Sequence, residues 1–151
     1  MIYWRAVMRA RDFLSHLSNE QIIGAIREAE RRTSGEIRVF ISRKEVRDPM
    51  SAAEQHFAEL GMEKTRERNG VLIFVAPRVH KFAVIGDEGI HTRCGKEFWE
   101  ELAREMSGHF KSSDFTRGIV HGVKKAGELL ARHFPRKPDD VNELPDEVLG
   151  E

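Results

Sequence analysis

Four side chains that can supply oxygen ligands stand where the sequence predicts strands to begin or end. Glu36 opens an alternating segment, and Asn69 comes just before an apolar run. Asp87 and Glu88 follow the last of three predicted strands. Carboxylate and amide oxygens in a flexible loop suit Ca²⁺ or Mg²⁺, so we predict a divalent-metal site at these four residues. The same carboxylates could serve as general acid, general base or metal ligands in phosphate-ester hydrolysis.

The same residues also have purely structural interpretations. Glu36 could form a surface ion pair with Arg68, and Asp87 could do no more than stabilise a turn through its side chain. The sequence leaves both interpretations open.

Three predicted strands bring the candidate residues together. Residues 36–42 alternate apolar and polar side chains, residues 70–76 are apolar on both faces, and residues 81–86 return after a turn. An intervening helix favours a parallel first pair with a right-handed crossover, and the third strand is predicted to run antiparallel. One sheet edge, here called the acidic edge, therefore collects Glu36, Arg68, Asn69, Gly86, Asp87 and Glu88.

The opposite sheet edge is predicted to be basic, and it could attract an anionic ligand, although such clusters are more often solvated faces. This basic edge comprises Ser42, Arg43, Lys44, Arg47, Arg78, His80 and Lys81.

Four helices are predicted around the sheet, each with an apolar stripe of period near 3.6. Ser18 and Gln21 fit a capping box at the start of the first helix. Asp48 and Pro49 fit the N-cap and first position of the second. The helices span residues 18 to about 33, 48–61, 96–107 and 114–134.

The chain is divided into residues 1–17, 18–134 and 135–151, of which the central segment is the α/β domain. Residues 2–14 fit a short amphipathic helix that packs on the domain or on a second copy, with a membrane-surface helix as the alternative. Residues 135–151 hold three of the five prolines and six acidic residues, so we predict a disordered tail. The alternative for the tail is a short docking motif formed by Val141, Leu144, Val148 and Leu149.

Composition limits the class of protein. The 151 residues suit one domain, and 25 basic against 25 acidic residues argue against a dedicated nucleic-acid binder. Cys94 has no internal disulfide partner, and the sequence shows neither a signal peptide nor a membrane span. We therefore expect a cytoplasmic protein whose membrane association is peripheral at most, through residues 2–14.

Other candidates for chemistry are weaker. Cys94 follows His91 and could be a nucleophile, but no third group orients the pair, so a small core residue is favoured. The remaining histidines are scattered, with no pair at convincing metal spacing on one helix face.

Several short motifs, in order and spacing, resemble the TPM domain over residues 18–134. They are Thr33-Ser34-Gly35-Glu36-Ile37, Leu60-Gly61, Arg68-Asn69-Gly70-Val71-Leu72-Ile73, Ile85-Gly86-Asp87-Glu88-Gly89-Ile90, Phe98-Trp99, Phe110-Lys111, Phe115 and Gly118. The resemblance implies a three-layer α/β/α sandwich with a small central mixed β-sheet. Members of the family are described variously as acid phosphatases, as Ca²⁺ binders and as receptor modulators. The matching site positions are Glu36, Asn69 and Asp87, and no catalytic assignment transfers with them.

Three functions follow as hypotheses. The favoured one is a divalent-cation-binding module for Ca²⁺ or Mg²⁺, without an organic cofactor, that acts in binding or assembly. The second is a metal-dependent, phosphatase-like hydrolase of phosphomonoesters. The third is a metal-free interaction module that meets an unknown protein partner, and not nucleic acid, through its N-terminal helix and its tail.

Overall fold

The computed structural model describes residues 2–3, 17–136 and 148–150, which are built around one mixed sheet. Its strands lie in the order β1-β4-β3-β2-β5. As predicted, β2 is parallel to β3, whereas β4 is antiparallel to β3. The strands are β1 (Ile2–Tyr3), β2 (Glu36–Ile41), β3 (Gly70–Ala76), β4 (Lys81–Gly86) and β5 (Val148–Gly150).

Five α-helices accompany the sheet in the described part of the chain. Each of them falls short of the length or the hydrophobicity that a membrane-spanning helix needs. Four of the five were predicted. The exception, α3, has only four residues, too few for a periodic pattern to be recognised. The helices are α1 (Asn19–Glu30), α2 (Pro49–Glu59), α3 (Glu88–His91), α4 (Lys96–Lys111) and α5 (Phe115–His133).

The sheet is covered on both faces, which confirms the predicted three-layer α/β/α sandwich. Alternate side chains of β2 explain the layering. Ile37 and Val39 point into the larger apolar cluster with α1, α4 and α5. Phe40 points into the smaller cluster with α2. Because both faces are covered, every residue of β2 and β3 is buried.

Both predicted N-caps form, but the capping box of Ser18 and Gln21 forms only in half, and its other half links two helices. Ser18 Oγ accepts a hydrogen bond from Gln21 N at 3.3 Å, which begins α1. In a full capping box the Ser18 N–H would donate to the Gln21 side chain. Here it donates to Thr116 Oγ1 of α5 at 3.0 Å, which links α1 to α5. Asp48 Oδ1 accepts from Ser51 N at 3.3 Å at the start of α2.

The predicted N-terminal helix is wrong at its first two residues. Ile2 and Tyr3 form β1, which pairs antiparallel with Phe82 and Lys81 of β4. Pairing satisfies backbone groups along the open edge of β4, whereas an isolated helix shorter than roughly 12–15 residues is marginal in water. The other residues of the predicted helix, 4–14, lie outside the described residues.

The predicted disordered tail is wrong at both of its described ends. Pro135 bridges to Thr33, and Arg136 donates from its Nη1 to Glu30 O at 2.8 Å. Val148–Gly150 forms β5, which adds parallel to β2. The composition of the tail did not reveal this order, because the strand forms by pairing with backbone groups on the open edge of β2. Residues 137–147 lie outside the described residues.

Small residues set the distance between α1 and α5. A Cβ added at Gly127 would lie only 2.6 Å from the Cβ of Ala29. By contrast, a Cβ at Gly108, on the exposed side of α4, would have no neighbour within 4 Å. The two helical glycines therefore have opposite roles.

We expect Gly127→Ala to destabilise the fold, because Ala29 is rigid and overpacking costs about 1–3 kcal/mol, more than the helix propensity gained. Gly108→Ala, the matched control, should stabilise the fold by up to about 1 kcal/mol. Urea unfolding followed by circular dichroism measures both. A Gly127→Ala protein more stable than wild type would contradict the close α1–α5 packing.

Candidate functional site

The strand register builds the acidic edge as predicted. Glu36 lies opposite Gly70, and the Asp87 N–H donates to Gly70 O at 3.0 Å. The Glu36 N–H donates to Asn69 O at 3.4 Å on the other side of β3. Glu36 and Asp87 therefore flank the start of β3, with backbones roughly 9–10 Å apart, two strand spacings. At the end of β4, Gly86 leaves room for the ring of Trp99, which would lie 3.1 Å from an added Cβ.

Asp87 is the organising side chain of this edge. It is only 6% exposed, and Arg68 holds it in a bidentate ion pair, with Nε–Oδ2 at 2.8 Å and Nη2–Oδ1 at 3.0 Å. Asp87 Oδ1 also accepts from Glu88 N at 2.7 Å and so caps α3. The hydrogen bonds to Asp87, followed by its charge, raise the pKa of Arg68.

The partner of Arg68 is thus Asp87 and not Glu36, which corrects the surface-pair interpretation. Glu36 is only 2% exposed. Strand alternation places it on the same face of β2 as Arg38, whose Nη1 donates to Leu60 O at 3.4 Å. Glu88 contributes less to the edge, since its side chain is 77% exposed and lies 3.4 Å from Arg68 Nη1.

The loop that presents Arg68 is held by close backbone contacts. Arg68 has a left-handed backbone with φ of 52°, which is strained for a side chain of this type. Its carbonyl accepts from Gly89 N at 2.9 Å. A Cβ at Gly89 would lie 2.2 Å from Glu67 O and 2.7 Å from Arg68 O, so only glycine allows α3 to approach the loop. Thr65 Oγ1 closes the turn by accepting from Asn69 N at 3.2 Å.

Asn69 points to two residues that the sequence analysis missed. Its Nδ2 donates to Ser34 Oγ at 3.2 Å and to Glu67 Oε2 at 3.4 Å, and Ser34 Oγ donates to Glu67 Oε2 at 2.6 Å. Asn69 is 1% exposed, and its Oδ1 accepts no hydrogen bond from any described residue. Ser34 and Glu67 each lie two residues before a predicted site residue, which is the signal that could have revealed them.

The predicted metal ligands therefore share an edge without forming a coordination shell. Within residues 2–3, 17–136 and 148–150, no group of three or more His, Cys, Asp or Glu side chains is placed to hold a metal ion. Arg68 occupies the position beside Asp87 that a cation would take. A metal bound there would have to displace the guanidinium.

The basic edge is a solvated face in the described structure. Arg43, Lys44, Arg47 and Arg78 are exposed, and Arg78 approaches Glu45 at 3.9 Å. Ser42 is buried, and its Oγ accepts from Lys44 N at 3.2 Å.

Cys94 has the character of a small core residue. It is partly buried against the larger apolar cluster. Burial raises the pKa of its thiol, which reduces the thiolate that nucleophilic chemistry needs.

A second missed cluster links α4 to α5. His121 Nε2 of α5 donates a hydrogen bond to Glu105 Oε2 of α4, and the rings of His121 and His109 lie 5.4 Å apart. The hydrogen bond from His121 lowers the pKa of Glu105, as do the charges of His121, Lys125 and His109, while partial burial opposes the shift. Sequence spacing within one helix could not reveal a pair formed between two helices.

We expect Gly89→Ala to reduce the free energy of unfolding by at least about 2 kcal/mol, because two rigid carbonyls occupy the space of the new methyl group. The amide signals of residues 65–69 should shift in the same variant. Gly24→Ala, in an exposed helical position with no neighbour within 4 Å of an added Cβ, is the control and should not destabilise. Unchanged loop signals in Gly89→Ala would overturn the close approach of α3.

Acid sensitivity should depend on Glu105. Because its folded pKa is lowered, the carboxylate stabilises the fold above its unfolded pKa, and this contribution is lost as pH falls through the folded pKa. Glu105→Gln should therefore be less stable than wild type at neutral pH and approach wild type in acid. Urea midpoints measured from pH 7 down to pH 3 test this, and a constant difference over that range would be the contrary result.

Comparison with known proteins agrees with this architecture. The family model described as the TPM domain matches residues 7–129. The solved NMR structure of the BA42 protein from the psychrophilic bacterium Bizionia argentinensis is 39% identical, with a TM-score of 0.82, and the match covers 90% of this chain and 96% of that one.

The N-terminal domain of cg2496 from Corynebacterium glutamicum is similar in fold alone, at 12% identity and a TM-score of 0.54 over 99% of this chain and 95% of that one. No curated protein gives a significant match. The family match over most of the sequence, together with the BA42 likeness, shows that this chain belongs to the TPM domain family.

Proposed function

We propose that this TPM domain binds a divalent cation, Ca²⁺ or Mg²⁺, at Asp87, and that the cation exchanges with the guanidinium of Arg68. The observation that supports this most is the pairing of a buried carboxylate with a cationic side chain that is 44% exposed. The fold already holds the Asp87 carboxylate in a buried position. The Arg68 guanidinium that now neutralises this carboxylate is exposed enough to move into solvent.

The acidic edge holds further oxygen atoms of the kind that a hard cation binds, with Glu36 on the other side of β3 from Asp87. Glu36, Asn69 and Glu88 are further donors of the acidic edge, and Asn69 Oδ1 is buried without a hydrogen-bond donor among the described residues. Oxygen ligands of mixed charge in a turn fit Ca²⁺ better than Mg²⁺, since Ca²⁺ accepts irregular geometry. In this proposal the domain acts in binding or assembly, and cation binding releases the Arg68 side chain from Asp87.

A phosphomonoester hydrolase is the second candidate, and one contact favours it. Ser34 Oγ donates to Glu67 Oε2 at 2.6 Å, which places a hydroxyl on a carboxylate base as nucleophilic catalysis requires. Metal at Asp87 would supply charge stabilisation for a bound phosphate. Cytoplasmic location and the lack of an organic cofactor stay predictions under either candidate.

A titration of labelled protein with Ca²⁺ and then Mg²⁺ tests the cation proposal. We expect the amides of Asn69, Gly70 and Asp87 to Gly89 to shift together and saturate, and the Arg68 Nε–H signal to change as its partner is lost. Asp87→Asn should weaken binding by at least about tenfold, because a charged ligand is removed while the cap of α3 is kept.

Arg68→Gln separates exchange from simple attraction. Removing the competing guanidinium should tighten metal binding several-fold. The backbone strain at position 68 is similar for arginine and glutamine, so the substitution should not change the loop by itself. Glu100→Gln, which breaks the exposed ion pair with Lys96 on α4, is the control and should leave binding unchanged. Metal binding that is unaffected by Asp87→Asn, or weakened by Arg68→Gln, would refute exchange at this carboxylate.

A hydrolysis assay with a generic phosphomonoester distinguishes the two candidates. Turnover that needs metal and is lost in both Asp87→Asn and Ser34→Ala would establish the hydrolase. Saturable metal binding without turnover would leave the binding module.

A further inference from the structure

The edge of β2 is occupied by β5, a strand from later in the same chain. Among the residues that the structure describes, three form β5, and they pair in parallel with β2: Val148 lies opposite Val39, Leu149 opposite Phe40 and Gly150 opposite Ile41. The edge is closed just before this point, since Ile37 N donates to the buried carboxylate of Glu30 at 2.9 Å. The open length of β2 therefore forms a short slot over Val39–Ile41.

Each position of the slot selects a type of side chain. Val148 packs against the larger apolar cluster, on the α1 side. Leu149 packs against the smaller apolar cluster, on the α2 side. At the third position a Cβ on Gly150 would lie 2.8 Å from Ile41 O, so only glycine fits without a shift. The slot thus selects two apolar residues followed by glycine.

The basic edge extends this preference. β2 ends at Ile41 and the chain turns at Ser42 to Lys44, so residues that follow Gly150 would leave the slot close to Arg43 and Lys44, both of which are exposed. Acidic residues after the glycine would therefore meet a positive surface. In this chain the residue after Gly150 is Glu151.

The contacts that hold β5 in the slot are also weak. Val148 and Leu149 are only partly buried, and Gly150 is exposed. Two partly buried apolar side chains offset little more than the ordering of three residues, which costs about 1–2 kcal/mol per residue in backbone entropy. Because β5 belongs to the same chain, its effective concentration at the slot is high. A segment of another protein therefore needs additional contacts, such as those at the basic edge, to displace β5.

We propose that the β2 slot is a docking site for an extended segment of a partner protein, with two apolar residues, a glycine and then acidic residues. The partner segment adds parallel to β2 by strand addition, and Val148–Gly150 is its competitor within the chain. This interaction is independent of cation binding at the acidic edge.

The test uses the full chain with Gly150→Val, which should release β5 by the clash with Ile41 O. Three peptides are added to labelled protein: Val-Leu-Gly-Glu-Asp-Glu, the same peptide with valine in place of glycine, and Val-Leu-Gly-Ser-Asn-Ser. We expect the first to shift the amides of residues 39–41 and 43–44 saturably, and both others to bind at least about tenfold more weakly. Wild type should bind the first peptide more weakly than the variant, because its own strand competes.

Charge reversal at Arg43→Glu with Lys44→Glu, in the same background, should weaken the acidic peptide and leave the neutral one unchanged. If Gly150→Val fails to fold, Val148→Asp with Leu149→Asp releases β5 without that clash. Absence of saturable shifts at residues 39–41 in a folded, released variant, or equal binding of the glycine and valine peptides, would overturn the proposal. A doubling of wild-type mass with concentration in light scattering would also overturn it, by identifying a second copy as the occupant.

Discussion

The acidic edge depends on the pairing of one short backbone stretch, Asn69-Gly70, with both neighbouring strands. Asn69 O accepts from Glu36 N on one side, and Gly70 O accepts from Asp87 N on the other. Gly70 also lies close beneath Met62, whose carbonyl would be 3.1 Å from an added Cβ. Because β3 is central and buried, these contacts fix where the side chains at the ends of β2 and β4 can lie.

Charge burial is the second constraint on this edge. Unpartnered charges in the interior are costly, so buried carboxylates need donors. Asp87 receives Arg68 and the first amide of α3, while Glu30 receives the amide of Ile37. The two carboxylates differ in their donors: Glu30 accepts from a backbone amide, whereas Asp87 accepts from the Arg68 side chain as well as from a backbone amide. In the proposed function, the side-chain donor of Asp87 is the one that exchanges with a cation.

Short strands cover part of both outer edges of the sheet. Strand edges with unpaired backbone groups invite association, and here β1 covers part of β4 while β5 covers part of β2. In the described residues both covering strands are short, so each contributes little stability by its own pairing. The carboxylate of Glu30 closes the remainder of the β2 edge, which limits strand addition to a three-residue slot.

The sequence by itself determined the α/β class, the four longer helices and the three inner strands. It did so because helical and strand periodicities, the caps at Ser18 and Asp48, and the apolar run at 70–76 are all local patterns. It also determined which residues share the acidic edge, because strand direction follows from the connections. Only the tertiary structure decided that Arg68 pairs with Asp87 and that Asn69 turns to Ser34 and Glu67, since several partners lie within reach of each side chain. The terminal strands were likewise decided in three dimensions, because two or three residues carry no periodicity, and their pairing depends on an open edge far away in the sequence.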